Sequence, residues 1–154
     1  MGKGVATLLG TPKILYNGQQ IAFPFRKAEA LFYYLLIKRQ ATRDELVNLL
    51  WAEVDEDVAK KNLRNAVYMI RKVFHDDVFL SPQRAVILLN DEIQWEIDVE
   101  TLLHGEGPES IAAYRGEFLC GLLVKDAENF EEWLFQSREG YRDIYIHKLH
   151  REIR

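Results

Sequence analysis

The sequence predicts an α+β fold in which short N-terminal strands, three helices and a β-hairpin precede an all-α segment. Three observations predict it: strand-like runs before residue 25, a helical apolar period from residue 26, and a second pair of strand-like runs after residue 77. The 154 residues are 48% hydrophobic and 12% aromatic, which is enough to bury the core of one ordinary domain or of a small domain with an appendage.

The N-terminal strands are recognised by their boundaries. Residues 5–9, bounded by Gly4 and Gly10, and residues 13–16, which follow Pro12, read as short strands. Asn17-Gly18 predicts a two-residue hairpin, because both residue types tolerate positive φ. Residues 21–23 are the predicted return strand.

The first two predicted helices carry different signals. The first begins at Arg26, where apolar residues start to recur at i, i+3, i+4, i+7 and i+8. The second opens with a capping box, in which the Thr42 hydroxyl accepts from the Glu45 amide and the Glu45 carboxylate reaches back; it ends near Trp51. The predicted core positions are Ala28, Leu31, Phe32, Leu35 and Leu36 in the first helix and Leu46, Leu49 and Leu50 in the second.

The third predicted helix, which Asp55 or Asp57 can cap, has one apolar stripe and one cationic face. Leu63, Val67, Ile70 and Phe74 form the stripe, and no acidic residue occurs in residues 58–74. Solvated surface helices normally mix charge signs, so this face suits a polyanion, with ordinary solvated surface as the alternative. The face carries Lys60, Lys61, Arg64, Asn65, Tyr68, Arg71 and Lys72.

A second hairpin follows, from residues 78–80 through a turn at residues 81–84 to residues 85–89. Three helices of which the third is basic, followed by a hairpin, predict a winged helix-turn-helix. In that plan the third helix enters the major groove and the hairpin tip reaches an adjacent groove or phosphates. The tip carries Gln83 and Arg84, while Arg26 and Lys27 on the first helix and Arg43 on the second lie at N-termini, where a phosphate is favoured.

Charge divides the chain into two regions. Residues 1–90 contain 13 Lys and Arg against 9 Asp and Glu, whereas residues 91–154 contain 7 against 15. The acidic region is predicted to be helical at residues 99–103, with Asp98 as its cap, at 109–114 and at 128–153. We therefore predict two domains, a DNA-binding domain at 1–92 and a helical domain at 93–154.

Several classes of function find no support in the sequence. No apolar run reaches membrane-spanning length, the N-terminus does not resemble a signal peptide, and the single Cys120 cannot form an internal disulfide, so we expect a cytoplasmic protein. Glycine-rich phosphate loops and the common hydrolase motifs are missing, so we expect no enzyme and no cofactor. His147 and His150 lack further ligands, so no metal site is predicted.

The segments FRKAEALFYYLL, TRDELVNLLW and KNLRNAVYMIRKVF resemble the DNA-binding domain of antibiotic-regulatory-protein (SARP-like) bacterial activators, a branch of the OmpR-like winged helices. DVETLL, AYRGEFLCGL and EEWLFQSREGYRDIYIHKL are similar to the start of the bacterial transcriptional activator domain that follows in that family, a TPR-like helical array. Since that array is longer in the family, we expect a fragment or a shortened member. The resemblance implies cytoplasmic transcription activation and a phosphorelay-type regulator, with double-stranded DNA, a second protomer on direct repeats and RNA polymerase as partners.

The resemblance also suggests how the third helix is used. On its exposed side Arg64, Asn65 and Tyr68 are predicted to contact base edges, although Tyr68 departs from the smaller or basic residue expected there. Phosphate contacts are predicted for Lys60, Lys61, Arg71 and Lys72, together with Arg26, Lys27 and Arg43. The main alternative is a winged-helix protein-interaction module without DNA binding, and a hydrolase is a distant third.

Overall fold

Six helices and two sheets make up the regular structure of residues 2–153, the part of the chain that the computed structural model describes, with Ile153 described by its backbone alone. The helices are α1 (Arg26–Lys38), α2 (Arg43–Trp51), α3 (Glu56–Phe74), α4 (Asp98–His104), α5 (Gly107–Ala112) and α6 (Glu128–Ile153). The strands are β1 (Lys3–Thr7), β2 (Lys13–Tyr16), β3 (Gln19–Gln20), β4 (Gln40–Thr42), β5 (Phe79–Leu80), β6 (Val86–Leu89) and β7 (Gln94–Ile97).

The described chain forms two compact units that are not continuous in sequence. The first contains the residues up to Gln20, Gln94–Leu122 and the chain from Glu132 onward, and the second contains Ile21–Ile93 and Leu123–Glu131. The predicted functional division between residues 92 and 93 stays a prediction. The strands β1 and β7 lie on either side of this position in the sequence and pair in one sheet.

The first unit is built on the sheet β3-β2-β1-β7, in which β1 runs antiparallel to β2 and parallel to β7. Asn17 and Gly18 form the predicted turn between β2 and β3, with φ of 51° and 82°. The predicted return strand at residues 21–23 is wrong, since only Gln19–Gln20 pairs with β2. The chain leaves the sheet there, and the Phe23 ring packs in the second unit, 5.3 Å from the Phe32 ring centroid.

The second unit contains α1, α2, α3 and the sheet β4-β6-β5. The predicted order of three helices followed by a hairpin is confirmed, and β4, which the sequence did not signal, joins β6 in register Ala41↔Ile87. Phe32 lies at the centre of an aromatic core, with its ring centroid 4.9 Å from that of Phe74 and 5.9 Å from that of Phe79. All eight predicted core residues of α1 and α2 are buried.

The two predicted helix caps in this unit behave differently. Thr42 accepts from the Glu45 amide at 3.0 Å, so that half of the capping box is confirmed. The Glu45 carboxylate accepts from the Tyr34 hydroxyl. Asp55 is the N-cap of α3, but its side chain makes no capping hydrogen bond, so a side-chain cap there was a wrong prediction.

The region predicted to be all-α begins with a strand, β7, so that part of the fold class was wrong. Half-buried Trp95 on this edge strand lies against Gly4, where a Cβ atom would approach the indole ring to 2.2 Å. Asp98 does not cap α4 from outside, since it is the first helical residue. Its carboxylate accepts from the amides of Leu8 and Leu9, both at 2.9 Å, and so fixes the end of β1.

The helices of the acidic region are otherwise near their predicted places. α5 spans Gly107–Ala112 rather than 109–114, because Pro108 lies in its first turn, where a missing N–H costs nothing. The long helix predicted at residues 128–153 is confirmed as α6.

Candidate nucleic-acid interface

Helix α3 separates into a buried face and an exposed face, as its periodicity predicts. Leu63, Val67, Ile70 and Phe74 are each at most 5% exposed, so the apolar stripe faces the core of the second unit. On the other side, Lys60, Lys61, Arg64, Asn65, Tyr68 and Lys72 are exposed. The structure therefore brings six of the seven predicted α3 contact residues onto one accessible surface.

Four of these residues form a straight line along the helix. Lys61, Asn65, Tyr68 and Lys72 recur at i, i+4, i+7 and i+11, which is the spacing of one exposed helical stripe. The two lysines lie at the ends of this stripe, about 16 Å apart along the axis at 1.5 Å per residue. Between them lie the Asn65 amide and the phenol ring of Tyr68, a residue that is 62% exposed. The stripe thus has cationic ends and an uncharged centre.

A second group of cations lies where α2, α3 and the β5–β6 hairpin meet. Arg43, Lys60, Arg64 and Arg84 line one groove of about 590 Å³, together with a single carboxylate residue, Asp44. We call this place the arginine groove. It joins the predicted contact residues of three separate elements, which the sequence assigned to the interface one by one.

Arg43 holds the hairpin tip against α2. Its Nε donates to the Arg84 carbonyl at 2.9 Å and its Nη2 donates to the Ser81 hydroxyl at 3.4 Å. Its backbone amide donates to the Ala85 carbonyl at 2.8 Å. No sequence pattern indicates this role, because the bonded residues are about forty positions apart.

The electrostatic surroundings of Arg43 are cationic. Burial lowers the pKa of the Arg43 guanidinium from its ordinary value, and the nearby charges of Arg71, Arg64 and Arg84 lower this pKa further. Burial disfavours the charged form whatever its sign, whereas the three arginines disfavour a further positive charge. The contribution of the arginines therefore reflects positive potential around Arg43.

Two further α3 cations have partners within the protein. The half-buried Arg71 donates from Nη2 to the Phe79 carbonyl at 2.8 Å, which fastens β5 to α3. Lys60 lies 3.1 Å from the Glu56 carboxylate, an i, i+4 pair that raises the pKa of the lysine.

Arg26 and Lys27 lie away from the arginine groove. Arg26 pairs with Glu29 at 3.0 Å. Lys27 donates to the Asp126 carbonyl at 3.2 Å and its ammonium lies 5.9 Å from the Trp51 ring centroid. Since Trp51 is the last residue of α2 and Arg43 is the first, the length of the helix, about 12 Å, separates the two places.

Two searches over residues 2–153 bear on other kinds of function. No cluster of three or more His, Cys, Asp or Glu side chains in this range is arranged to hold a metal ion. None of the described helices combines the length and apolarity that crossing a membrane requires.

The fold and the α3 surface together define an α+β protein with one cationic helix beside a hairpin. This fold is shared with a solved structure, Mycobacterium tuberculosis EmbR in complex with a low-affinity phosphopeptide, at a TM-score of 0.69 and 18% sequence identity. The match covers 99% of the present chain but 46% of EmbR, so the chain spans about half the length of that protein. No protein-family profile and no curated protein sequence matches the chain.

Proposed function

We propose that the chain binds double-stranded DNA sequence-specifically through a winged helix-turn-helix, as part of a bacterial transcriptional activator. In this proposal α3 lies in the major groove, which is wide enough to admit a helix, and the β5–β6 hairpin is the wing. The element order α1, β4, α2, α3, β5, β6 supports it, and so does the groove that Arg84 of the hairpin shares with Arg64 of α3.

The observation that carries the proposal is the sign and shape of the exposed α3 stripe. Its terminal lysines, Lys61 and Lys72, are about 16 Å apart, somewhat more than the roughly 12 Å width of the major groove. They can therefore reach phosphates on both sides of the groove, while the centre of the stripe faces the bases. Contacts to phosphate position the helix without selecting a sequence.

The uncharged centre of the stripe supplies the proposed sequence readout. The Asn65 amide can bond an adenine edge in the bidentate manner, and the exposed Tyr68 ring can make apolar contact with a thymine methyl group. Arg71 is assigned to holding the hairpin, because its guanidinium already donates to Phe79. Arg64 lies in the arginine groove, about a quarter turn from the stripe.

The regulatory part of the proposal is supported by the family resemblance of the sequence, and the fold that the chain shares with EmbR is compatible with it. In line with that resemblance we propose binding beside a second protomer on direct repeats, with contact to RNA polymerase. The helical region from α4 to α6 is the proposed start of the activator domain, and the proposed mechanism is binding without catalysis.

Selection from random duplexes, followed by fluorescence anisotropy with the recovered sequence, tests this proposal. If about six phosphates are neutralised, log Kd should change with log salt with a slope of magnitude near 5. Asn65→Ala should weaken binding to the selected duplex by roughly 5- to 100-fold and relax one base preference. It should leave binding to a scrambled duplex nearly unchanged.

Lys72→Ala, from the same stripe, is the matched control. It should weaken both duplexes alike by a few-fold and reduce the salt slope by about 1. Equal losses for the two variants on every sequence would refute base readout by the stripe. Failure of the selection to recover any duplex would favour the protein-interaction module instead.

A further inference from the structure

We infer that the arginine groove is a site for one phosphate-type anion, in which Arg64 and Arg84 bind the anion and Arg43 is a positioning residue. This inference rests on the proposed function, since the anion it assigns to the groove is a backbone phosphate of the bound duplex. It changes the part predicted for Arg64 from a contact with a base edge to a contact with the backbone.

The position of Arg64 on α3 supports a contact with the DNA backbone. Along α3 it precedes Asn65 by one residue, about a quarter turn away from the Lys61–Lys72 stripe, on the side toward α2 and the hairpin. There it shares one groove with Arg43 and Arg84. A helix whose stripe faces the bases turns this side toward the sugar-phosphate backbone at the edge of the major groove.

The charges of the residues that line the arginine groove favour an anion there. Four cations line the groove against one carboxylate, Asp44, and Lys60 is already paired with Glu56 at 3.1 Å. Arginines gathered in this way repel one another, and a tetrahedral dianion or a phosphodiester relieves the repulsion while accepting hydrogen bonds. After burial, the nearby charges of Arg71, Arg64 and Arg84 are the causes that lower the pKa of Arg43.

The hydrogen bonds of Arg43 support its assignment as a positioning residue. Two of its five N–H donors are used on the hairpin tip, at the Arg84 carbonyl and the Ser81 hydroxyl. These bonds fix the backbone from which the Arg84 side chain extends. Arg43 therefore positions the backbone of Arg84, on the hairpin, at the groove that Arg64 of α3 also lines.

A methylphosphonate scan of the selected duplex tests the assignment. Each linkage in turn is made neutral, and the dissociation constant is measured for the wild-type chain and for Arg64→Ala, Arg84→Ala and Arg43→Lys. One linkage should weaken wild-type binding by about tenfold when neutral. The same linkage should have only about a threefold effect in Arg64→Ala and in Arg84→Ala, because one of its two partner charges is gone in each variant.

Arg43→Lys keeps the charge but lacks the planar fork that bonds the hairpin at two places. It should reduce the effect of the same linkage to about threefold, whereas Lys61→Ala, the control on the stripe, should leave that effect at about tenfold. Arg64 and Arg84 are exposed, so their alanine variants should fold, which circular dichroism checks.

A second measurement separates this inference from the proposed function. Sodium sulfate is titrated into the full chain while the arginine Nε–H signals are followed by NMR, and the signals of Arg43, Arg64 and Arg84 should shift together and saturate. Saturation without binding to any duplex would keep the anion site and overturn the proposed function. The anion site alone would be overturned if the chain binds DNA and Arg64→Ala alters a base preference but changes the effect of no neutral linkage.

Discussion

The two compact units use the same device, a cation that ties distant backbone to a helix, with different electrostatic results. In the second unit Arg43 and Arg71 bond the β5–β6 hairpin. In the first unit Arg138 on α6 donates to the carbonyls of Phe118 and Leu119, both at 2.8 Å. In each case a long side chain on a helix donates to backbone carbonyl groups of another segment of the chain.

The surroundings of the ties differ. Arg138 also lies 3.1 Å from the Glu117 carboxylate, so its charge is balanced locally. Arg43 is surrounded by three arginines, so the tie that orders the hairpin also concentrates positive charge. Hydrogen bonds from a cation therefore do not by themselves indicate a binding surface, because the sign of the neighbouring charges decides whether an electrostatic field remains to attract a ligand.

The strongest purely structural tie is expected at Lys148. Its ammonium donates to the carbonyls of Leu102 and Gly105 and to the hydroxyl of the buried Ser110, at 2.6, 3.1 and 2.7 Å. Lys148→Met should lower the free energy of unfolding by about 3 kcal/mol, since charged hydrogen bonds at the end of α4 are lost and a buried hydroxyl loses a partner. Urea unfolding followed by circular dichroism measures this loss.

Arg151→Met is the matched control for Lys148→Met, because Arg151 is an exposed cation on the same helix. Its effect on the free energy of unfolding should stay within about 0.5 kcal/mol. A loss below about 1 kcal/mol for Lys148→Met would show that water replaces the hydrogen bonds of Lys148 at little cost. Lys148 would then not be a structural tie in the first unit.

Arg71 and Lys72 are adjacent in the sequence but have different assigned roles. Arg71 bonds the hairpin, whereas Lys72 is a proposed contact to a DNA phosphate. Arg71→Met should cost about 2 kcal/mol of stability, because the carbonyl of the buried Phe79 loses a charged donor. Lys72→Met should change stability by less than about 0.5 kcal/mol but weaken duplex binding a few-fold. Urea unfolding and anisotropy on both variants check the two expectations.

Opposite results would contradict the assignment of these neighbours. A stable Arg71→Met variant with a large loss of DNA affinity would place Arg71 among the ligand contacts, as the sequence first suggested. A destabilised Lys72→Met variant would show that the exposed stripe contributes to the fold.

What the sequence predicted well is what depends on local order. The buried stripe of α3, the Asn17-Gly18 turn and the hairpin after α3 each follow from residues within one or two turns of one another. Periodicity and turn chemistry act at that range, so they placed these elements, and with them the exposed α3 side chains.

What the sequence did not predict depends on pairing across long separations. β4 meets β6 from about forty-five residues away, and β7 joins β1 from about ninety. The arginine groove has the same origin, because Arg43 and Arg84 are brought together only when the hairpin folds onto α2. Short strands of three or four residues carry too little pattern to reveal such partners.

Helix capping gives the smallest expected effect and the most direct test of a local rule. Thr42 and Asp55 are the N-cap residues of consecutive helices, yet only the Thr42 side chain accepts from its helix, at the Glu45 amide. Thr42→Ala should therefore lower the free energy of unfolding by about 1 kcal/mol, and Asp55→Ala by less than about 0.5 kcal/mol. Urea unfolding measures both, and equal losses would mean that Asp55 acts through its charge at the start of α3 rather than through a hydrogen bond. Repeating the pair in 1 M salt separates the two causes, because screening removes a charge effect and leaves a hydrogen bond largely intact.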